Sequence, residues 1–346
     1  MEACIPISRP RQSSLAICAV NVWSSFSLSE SLLGYLAEES FGAIHMVAEE
    51  RDADIVLTSV FPHVAPKYPE KSIAIIWENV RPNYEFYRFS ISSDFDSYGG
   101  RNCRIPNWYG QINWSERYQP TKSRAHNHNY EAPLDLDLLM RPREHVEPAR
   151  QKFCCFVSGY REPHRAWAVE ALSKIAPVDL FGNVSGKALS CSKYEILPGY
   201  RFNLCFENSI FPGYYTEKIV HAWAAGCIPL YWSDPWFVAD FNPNAMINRI
   251  DFPSLEAFAA YVAEVDNSPQ RREAFLREPL LLSCPRLDGA VDFLRHALSA
   301  ITESAPATPP AAAPNLPLGR RASEDRWPAS PFLSFMLGLH HRRGRG

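Results

Sequence analysis

At 346 residues the chain is long enough for about two domains, each with a core of its own. Its 46% hydrophobic and 21% charged residues are those of a folded protein and exclude wholesale disorder, a fibrous repeat and a multispan membrane protein. Lys and Arg number 35 against 38 Asp and Glu, a net charge of −3, so no global basic field draws the whole molecule onto nucleic acid. The nine cysteines show no C-x-x-C spacing and read as free thiols in a reducing compartment. The first residues, MEACIPISRPRQSS, lack the basic and apolar regions of a signal peptide, and no run reaches the roughly 18 apolar residues of a membrane span. The expectation is a cytoplasmic chain, in which the sequons at Asn113 and Asn183 are chance matches.

The first half opens with an apolar run at 15–23 (LAICAVNVW), a helical pattern near 29–39 and a strand-like run at 54–60 (DIVLTSV), an order that reads as β-α-β. A further apolar run at 72–77 (SIAIIW) ends at Glu78-Asn79. These polar residues then lie at the carboxyl end of a buried parallel strand, where open α/β sheets place their ligands. Residues 113–150 are rich in Pro, Arg, His and Asn and read as an extended connection. The domain boundary is expected near 150.

The second half repeats the alternation. A strand is expected at 152–158 (KFCCFVS), then a helix from Pro163 to about Lys174 with the proline in its first turn. Further strands are expected at 178–181, at 202–206 (FNLCF) and at 227–232 (CIPLYW). Between the last two, Thr216 is a good N-cap for a helix running to about Ala225, and Gly226 stops it. Helical patterns near 254–264 and 286–301 close the globular part. Ten of the fourteen residues in 304–317 are Pro or Ala, a stiff linker that cannot fold. Beyond it lie six arginines, Glu324, Asp325 and an apolar patch at 332–339. That pairing suits an anionic membrane surface, and a disordered terminus without a partner is the equal alternative.

Chemistry concentrates in residues 201–232, RFNLCFENSIFPGYYTEKIVHAWAAGCIPLYW. Glu207 and Asn208 end a strand, Gly213 and Tyr214 occupy a turn, and Thr216-Glu217-Lys218 open a helix whose free N–H groups favour an anion. Lys218 in a first turn opposes the helix dipole and makes better sense as the partner of a bound diphosphate. Glu217 cannot usefully face phosphate, but could accept hydrogen bonds from sugar hydroxyls such as a ribose. The plain alternative is that Glu217 improves the helix dipole and Lys218 is a solvated charge. Two D-x-D sequences, Asp94-Phe95-Asp96 and Asp135-Leu136-Asp137, and the pair His126 and His128 are weak metal candidates. The histidines lack a four-ligand set.

The ordered series F-x-L-x-F-E-N-S, G-Y-x-T-E-K-I and A-x-x-x-x-x-I-P-x-Y-W, with the trailing Asp240-Phe241-Asn242-Pro243, resembles the α-1,3-fucosyltransferases of glycosyltransferase family 10, in their bacterial form. The likeness covers roughly 201–252. It is fainter but colinear at Asn21 to Trp23, at Glu78-Asn79 and at His164-Arg165, and the chain departs from the pattern at Trp77, Arg81, Gly159 and Ser233.

The resemblance implies a GT-B fold, two Rossmann-like α/β lobes facing across a cleft. Residues 1–150 would then be an acceptor lobe with the catalytic base, residues 151–303 a GDP-fucose lobe, and residues 304–346 linker and tail. It implies that Arg165 and Lys218 neutralise the donor diphosphate, that Glu217 holds the ribose, that Asn208 and Tyr214 close around the donor, and that Glu78 is the base. It further implies inverting transfer of L-fucose to the 3-OH of N-acetylglucosamine in an N-acetyllactosamine-type oligosaccharide or a lipopolysaccharide, with no obligatory metal. An inverting displacement needs one base and cations for the leaving group. A different acceptor or linkage, or a non-catalytic binder of sugar nucleotide or glycan, are the alternatives.

Overall fold

The computed structural model describes residues 14–22, 26–60, 65–115, 118, 134–143, 150–159, 162–186, 189 and 191–303. The Pro/Ala-rich stretch, the arginine-rich tail, His126, His128 and Trp23 lie outside them. The chain divides into two compact units.

The first unit is built on β1 (Leu15–Ala19), β2 (Ile44–Met46), β3 (Ile55–Ser59), β4 (Ser72–Ile76), β5 (Phe89–Ser92) and β6 (Asn102–Arg104), all parallel, in the order β2-β1-β3-β4-β5-β6. Strands β3 and β4 are buried at every position, which is why they read as unbroken apolar runs rather than as alternation. Helix α1 (Leu32–Phe41) is capped by Ser31, whose side chain accepts from the Gly34 amide at 3.1 Å.

The second unit adds α2 (Leu136–Met140), β7 (Lys152–Val157), α3 (Pro163–Ser173), β8 (Val178–Phe181), α4 (Lys193–Ile196), β9 (Tyr200–Leu204), α5 (Glu217–Ala224), β10 (Ile228–Tyr231), β11 (Ile247–Asn248), α6 (Leu255–Asp266) and α7 (Pro269–Arg277). Its sheet is also wholly parallel, in the order β8-β7-β9-β10-β11. In both sheets the second strand lies on one side of the first and all later strands on the other. In such sheets the crevice above the carboxyl ends of the first and third strands is the natural ligand site, here the ends of β7 and β9.

The boundary expected at 150 is displaced. The second unit already takes in Pro106–Pro285, and the chain returns to the first unit at Arg286. The cause is α8 (Asp288–Thr302), whose buried face, Ala290, Leu294, Ala297 and Ile301, packs on α1. There the Ser40 hydroxyl reaches the Val291 carbonyl at 3.4 Å, and Phe293 meets Phe89 edge-on. Residues 286–303 therefore belong with the first sheet and not with the donor lobe expected from the sequence. No helix among the described residues is long and apolar enough to cross a membrane.

Candidate active site

The strand β9 runs on through Cys205, whose amide still bonds to Leu230 in β10, into Phe206 and Glu207. Glu207 is fully buried. A carboxylate in that position survives only if its lone pairs are matched, and four donors surround it. The Thr216 amide donates at 2.8 Å, the Thr216 hydroxyl at 2.9 Å, the Tyr231 hydroxyl at 3.0 Å and the Lys218 ammonium at 3.1 Å. Thr216 occupies the N-cap of α5 as its sequence suggests, yet its side chain makes no cap bond. The hydroxyl is committed to Glu207 and accepts from Lys218 at 2.7 Å. Burial pulls the Lys218 pKa down, but the Glu207 and Glu217 carboxylates outweigh it and the net shift is upward, so Lys218 is a permanent cation. Burial and the Glu207 charge push the Tyr231 phenol well up and keep it a donor.

Arg165 enters from the first turn of α3, which Pro163 starts. Its guanidinium is 1% exposed and donates to the Phe206 carbonyl at 2.6 Å, to Asn208 Oδ1 at 2.7 Å and to Ser158 Oγ at 3.3 Å. Its Nε is buried without a hydrogen-bond partner among the described residues. Burial draws its pKa down from the ordinary value. Asn208 passes the contact on, its amide lying 3.5 Å from the Tyr214 hydroxyl. His164 beside it stacks on Trp232 with centroids 4.1 Å apart and bonds through Nε2 to the Glu207 carbonyl at 3.2 Å; burial lowers its pKa, so the imidazole is neutral.

Arg165 and Lys218 line one small cavity together with Lys193 and His221. Arg165 and Lys218 bring positive charge to it, Lys193 is held against Glu217, and no described carboxylate lines it, an electrostatic setting suited to an anionic group such as phosphate. Glu217 stands just beside it. Its Oε1 is 3.4 Å from the Lys193 ammonium, and the side chain keeps 24% exposure. Burial pushes the Glu217 pKa up, but the Lys218 and Lys193 charges hold it well below the usual carboxylate range.

The structure thus brings together Arg165, Asn208, Tyr214, Glu217 and Lys218. Glu78 belongs to the first unit. It is half-buried two residues past the carboxyl end of β4, its carbonyl accepts from the Val80 amide at 2.8 Å, and Asn79 beside it is buried. Of the D-x-D residues, Asp96 accepts from the Tyr98 amide at 2.7 Å, Asp135 accepts from Asn113 at 2.9 Å, and Asp137 pairs with Arg141 at 2.8 Å.

Three groups of this cluster escape a reading of the sequence. Glu207 reads there only as the end of a strand. Lys193 gives no local signal, since 24 residues separate it from Glu217. His221 does carry one, because it falls four residues after Glu217 on α5, the spacing of neighbours on a helix face.

Residues 146–277 match the family model described as glycosyltransferase family 10 (fucosyltransferase), C-terminal part. The match lies wholly inside the second unit. Arg165, Asn208, Tyr214, Glu217 and Lys218 all fall in that match. The chain is similar to the α-(1,3)-fucosyltransferase FucT of Helicobacter pylori, 30% identical over 211 residues, covering 56% of this chain and 43% of that protein. It is similar to α-(1,3)-fucosyltransferase 7 of Mus musculus, 33% identical over 130 residues, covering 36% of this chain and 33% of that protein. The chain therefore spans less than half the length of these relatives. A solved structure of an α1,3-fucosyltransferase with GDP-fucose overlays with a TM-score of 0.64 at 23% identity, covering 86% of this chain and 93% of that one. The fold is of the GT-B type, with two Rossmann-like lobes, one on each parallel sheet.

Proposed function

We propose that this protein belongs to glycosyltransferase family 10 and is an inverting fucosyltransferase that moves L-fucose from GDP-fucose to the 3-OH of N-acetylglucosamine in an N-acetyllactosamine-type glycan, free or on lipopolysaccharide. The observation that carries the reading is the cavity to which Arg165 and Lys218 bring their charges at the carboxyl ends of β7 and β9, inside the matched segment. In the transfer, the acceptor oxygen bonds to the anomeric carbon of fucose as the bond from that carbon to the GDP oxygen breaks. The hydroxyl proton passes to Glu78, and the charge growing on the diphosphate is met by the planar fork of Arg165 and the point charge of Lys218. Because two fixed cations serve the leaving group, the reaction needs no metal. Glu217 accepts from the ribose hydroxyls, and Asn208 and Tyr214 close the donor in.

The test is GDP release from GDP-fucose with and without N-acetyllactosamine in excess chelator, with mass and linkage analysis of the product. Acceptor-dependent release and a trisaccharide fucosylated at O-3 are expected. A product linked elsewhere would shift the acceptor assignment, and saturable donor binding without turnover would make the protein a binder. Glu78→Ala should lower kcat by 10²–10⁴-fold, the usual contribution of a general base, with donor affinity unchanged; full activity in that variant would remove Glu78 from its role.

A further inference from the structure

A lysine that is 5% exposed needs a reason to be there, because an unpaired buried ammonium is among the costliest groups a core can hold. Lys193 opens the one-turn helix α4, where the Ser192 amide donates to Glu195 at 3.0 Å. Its ammonium has two neighbours, Glu217 Oε1 at 3.4 Å and His221 Nδ1 at 3.5 Å. Lysine can only donate, so Nδ1 accepts and the ring proton sits on Nε2, which donates to Gln111 Oε1 at 3.2 Å. Burial first, then the Lys193 charge, lowers the His221 pKa well below its ordinary value and keeps the ring in that neutral form. A continuous chain results, running from the Glu217 carboxylate through Lys193 and His221 to Gln111.

Lys218 does not duplicate this role. Adjacent residues on a helix point in different directions, and Lys218, though its charge also acts on Glu217, is committed by its hydrogen bonds to Glu207 and Thr216, so the cation in contact with Glu217 is Lys193. We propose that Lys193 is a positioning residue for nucleotide recognition: it clamps Oε1 of Glu217 and so orients the carboxylate toward the ribose diol of a guanosine diphosphate sugar. The proposal rests on the donor reading above and adds to it a residue outside the matched motifs.

The test compares GDP, 2′,3′-dideoxy-GDP and GMP binding to the full chain by calorimetry, for wild type, Lys193→Met and Lys193→Arg. Wild type should prefer GDP over the dideoxy form by about tenfold or more, the scale of a hydrogen bond to a charged group. In Lys193→Met that preference should shrink to about twofold, the GDP-over-GMP ratio should hold, and KM for GDP-fucose should rise with kcat little changed. Lys193→Arg, which keeps the charge, should retain the preference. In a Glu217→Gln background, Lys193→Met should lower GDP affinity no further, and this double variant removes both buried charges together should the single one not fold. Collapse of the GDP-over-GMP ratio with diol preference intact would make Lys193 a phosphate contact and overturn the clamp. Equal weakening toward all three ligands would leave only a structural role and also overturn it. If wild type binds none of them, the donor reading fails first.

Discussion

Glu207 is the residue that gathers Thr216, Lys218 and Tyr231, although it touches solvent nowhere. Replacing it by Gln keeps the shape but removes the charge opposite Lys218 and turns one acceptor into a donor among donors. Breaking a buried pair from one side costs about 3–5 kcal/mol. Glu207→Gln should therefore lower the unfolding free energy from urea titration by that much, with a lower midpoint, and weaken GDP binding; an unchanged midpoint would show that Lys218 finds another partner. A second buried carboxylate runs the other way. Asp234 accepts from Trp236 N at 2.8 Å and from the Tyr215 hydroxyl at 3.1 Å, yet burial outweighs these bonds and raises its pKa from 3.8 to about 6. A folded-state value above the unfolded one means the folded protein holds more protons. The contribution to stability is full below about pH 3.8 and is lost as pH rises through 6. Asp234→Asn keeps the acceptor oxygen without the charge. It should match wild type near pH 4 and exceed it at pH 8 by about 1–3 kcal/mol, since one pKa unit is worth about 1.4 kcal/mol. Denaturation curves that stay parallel over that range would contradict the assignment.

Between β9 and α5 the chain must turn back within a few residues while presenting Asn208, Tyr214 and Glu217 together, and one glycine makes this possible. Gly213 has φ +90, and a Cβ there would lie 2.1 Å from the Ser93 carbonyl oxygen, within the same unit. Gly213→Ala thus meets both a left-handed backbone and a fixed main-chain atom. Thermal unfolding should show a loss of about 2 kcal/mol or more, in the range expected of strained backbone positions, with weakened GDP binding; wild-type behaviour in both would mean that the turn relaxes freely. Several elements were legible in the sequence because each is dictated locally. Pro163 starts α3, Gly226 ends α5 with φ +77, and the run at 72–77 is β4. Strands β2, β6 and β11 were not, since two or three residues carry no periodicity and form only because a neighbouring strand offers its edge. Helix α7, Pro269–Arg277, has no buried residue and so lacks the apolar stripe by which a helix is read. Arg165, Asn208, Tyr214, Glu217 and Lys218 were named together by the resemblance of their motifs to family 10, not by spacing alone. Lys193 and the burial of Glu207 were hidden because they depend on which loops the parallel crossovers bring together.

At the scale of the molecule, the order of units along the chain is not the order of the sequence halves. Helix α8 lies after the whole second unit in sequence but belongs to the first. Its apolar residues Ala290, Leu294, Ala297 and Ile301 are buried at helical spacing, and Arg295 donates to the Ser40 and Glu39 carbonyls at the end of α1, each at 3.2 Å. The return crossing has a thermodynamic consequence, because the first unit cannot complete its core until the last described helix has been made and has come back to it. Leu294 is 4% exposed, and Leu294→Ala should cost about 2–5 kcal/mol. That cost should fall on the unit built around β1 to β6. The residues proposed to hold the donor, Arg165, Glu217 and Lys218, with Lys193 behind Glu217, all lie in the other unit, so the stabilisation by GDP, about 2.7 kcal/mol at a hundredfold excess over Kd, should survive the substitution. Scanning calorimetry with and without GDP separates the cases. A transition that moves down in Leu294→Ala while a second still rises with GDP shows two cooperative units of the composition found here. Loss of the GDP shift together with the first transition would mean that the chain unfolds as a single unit and that α8 supports the donor site as well.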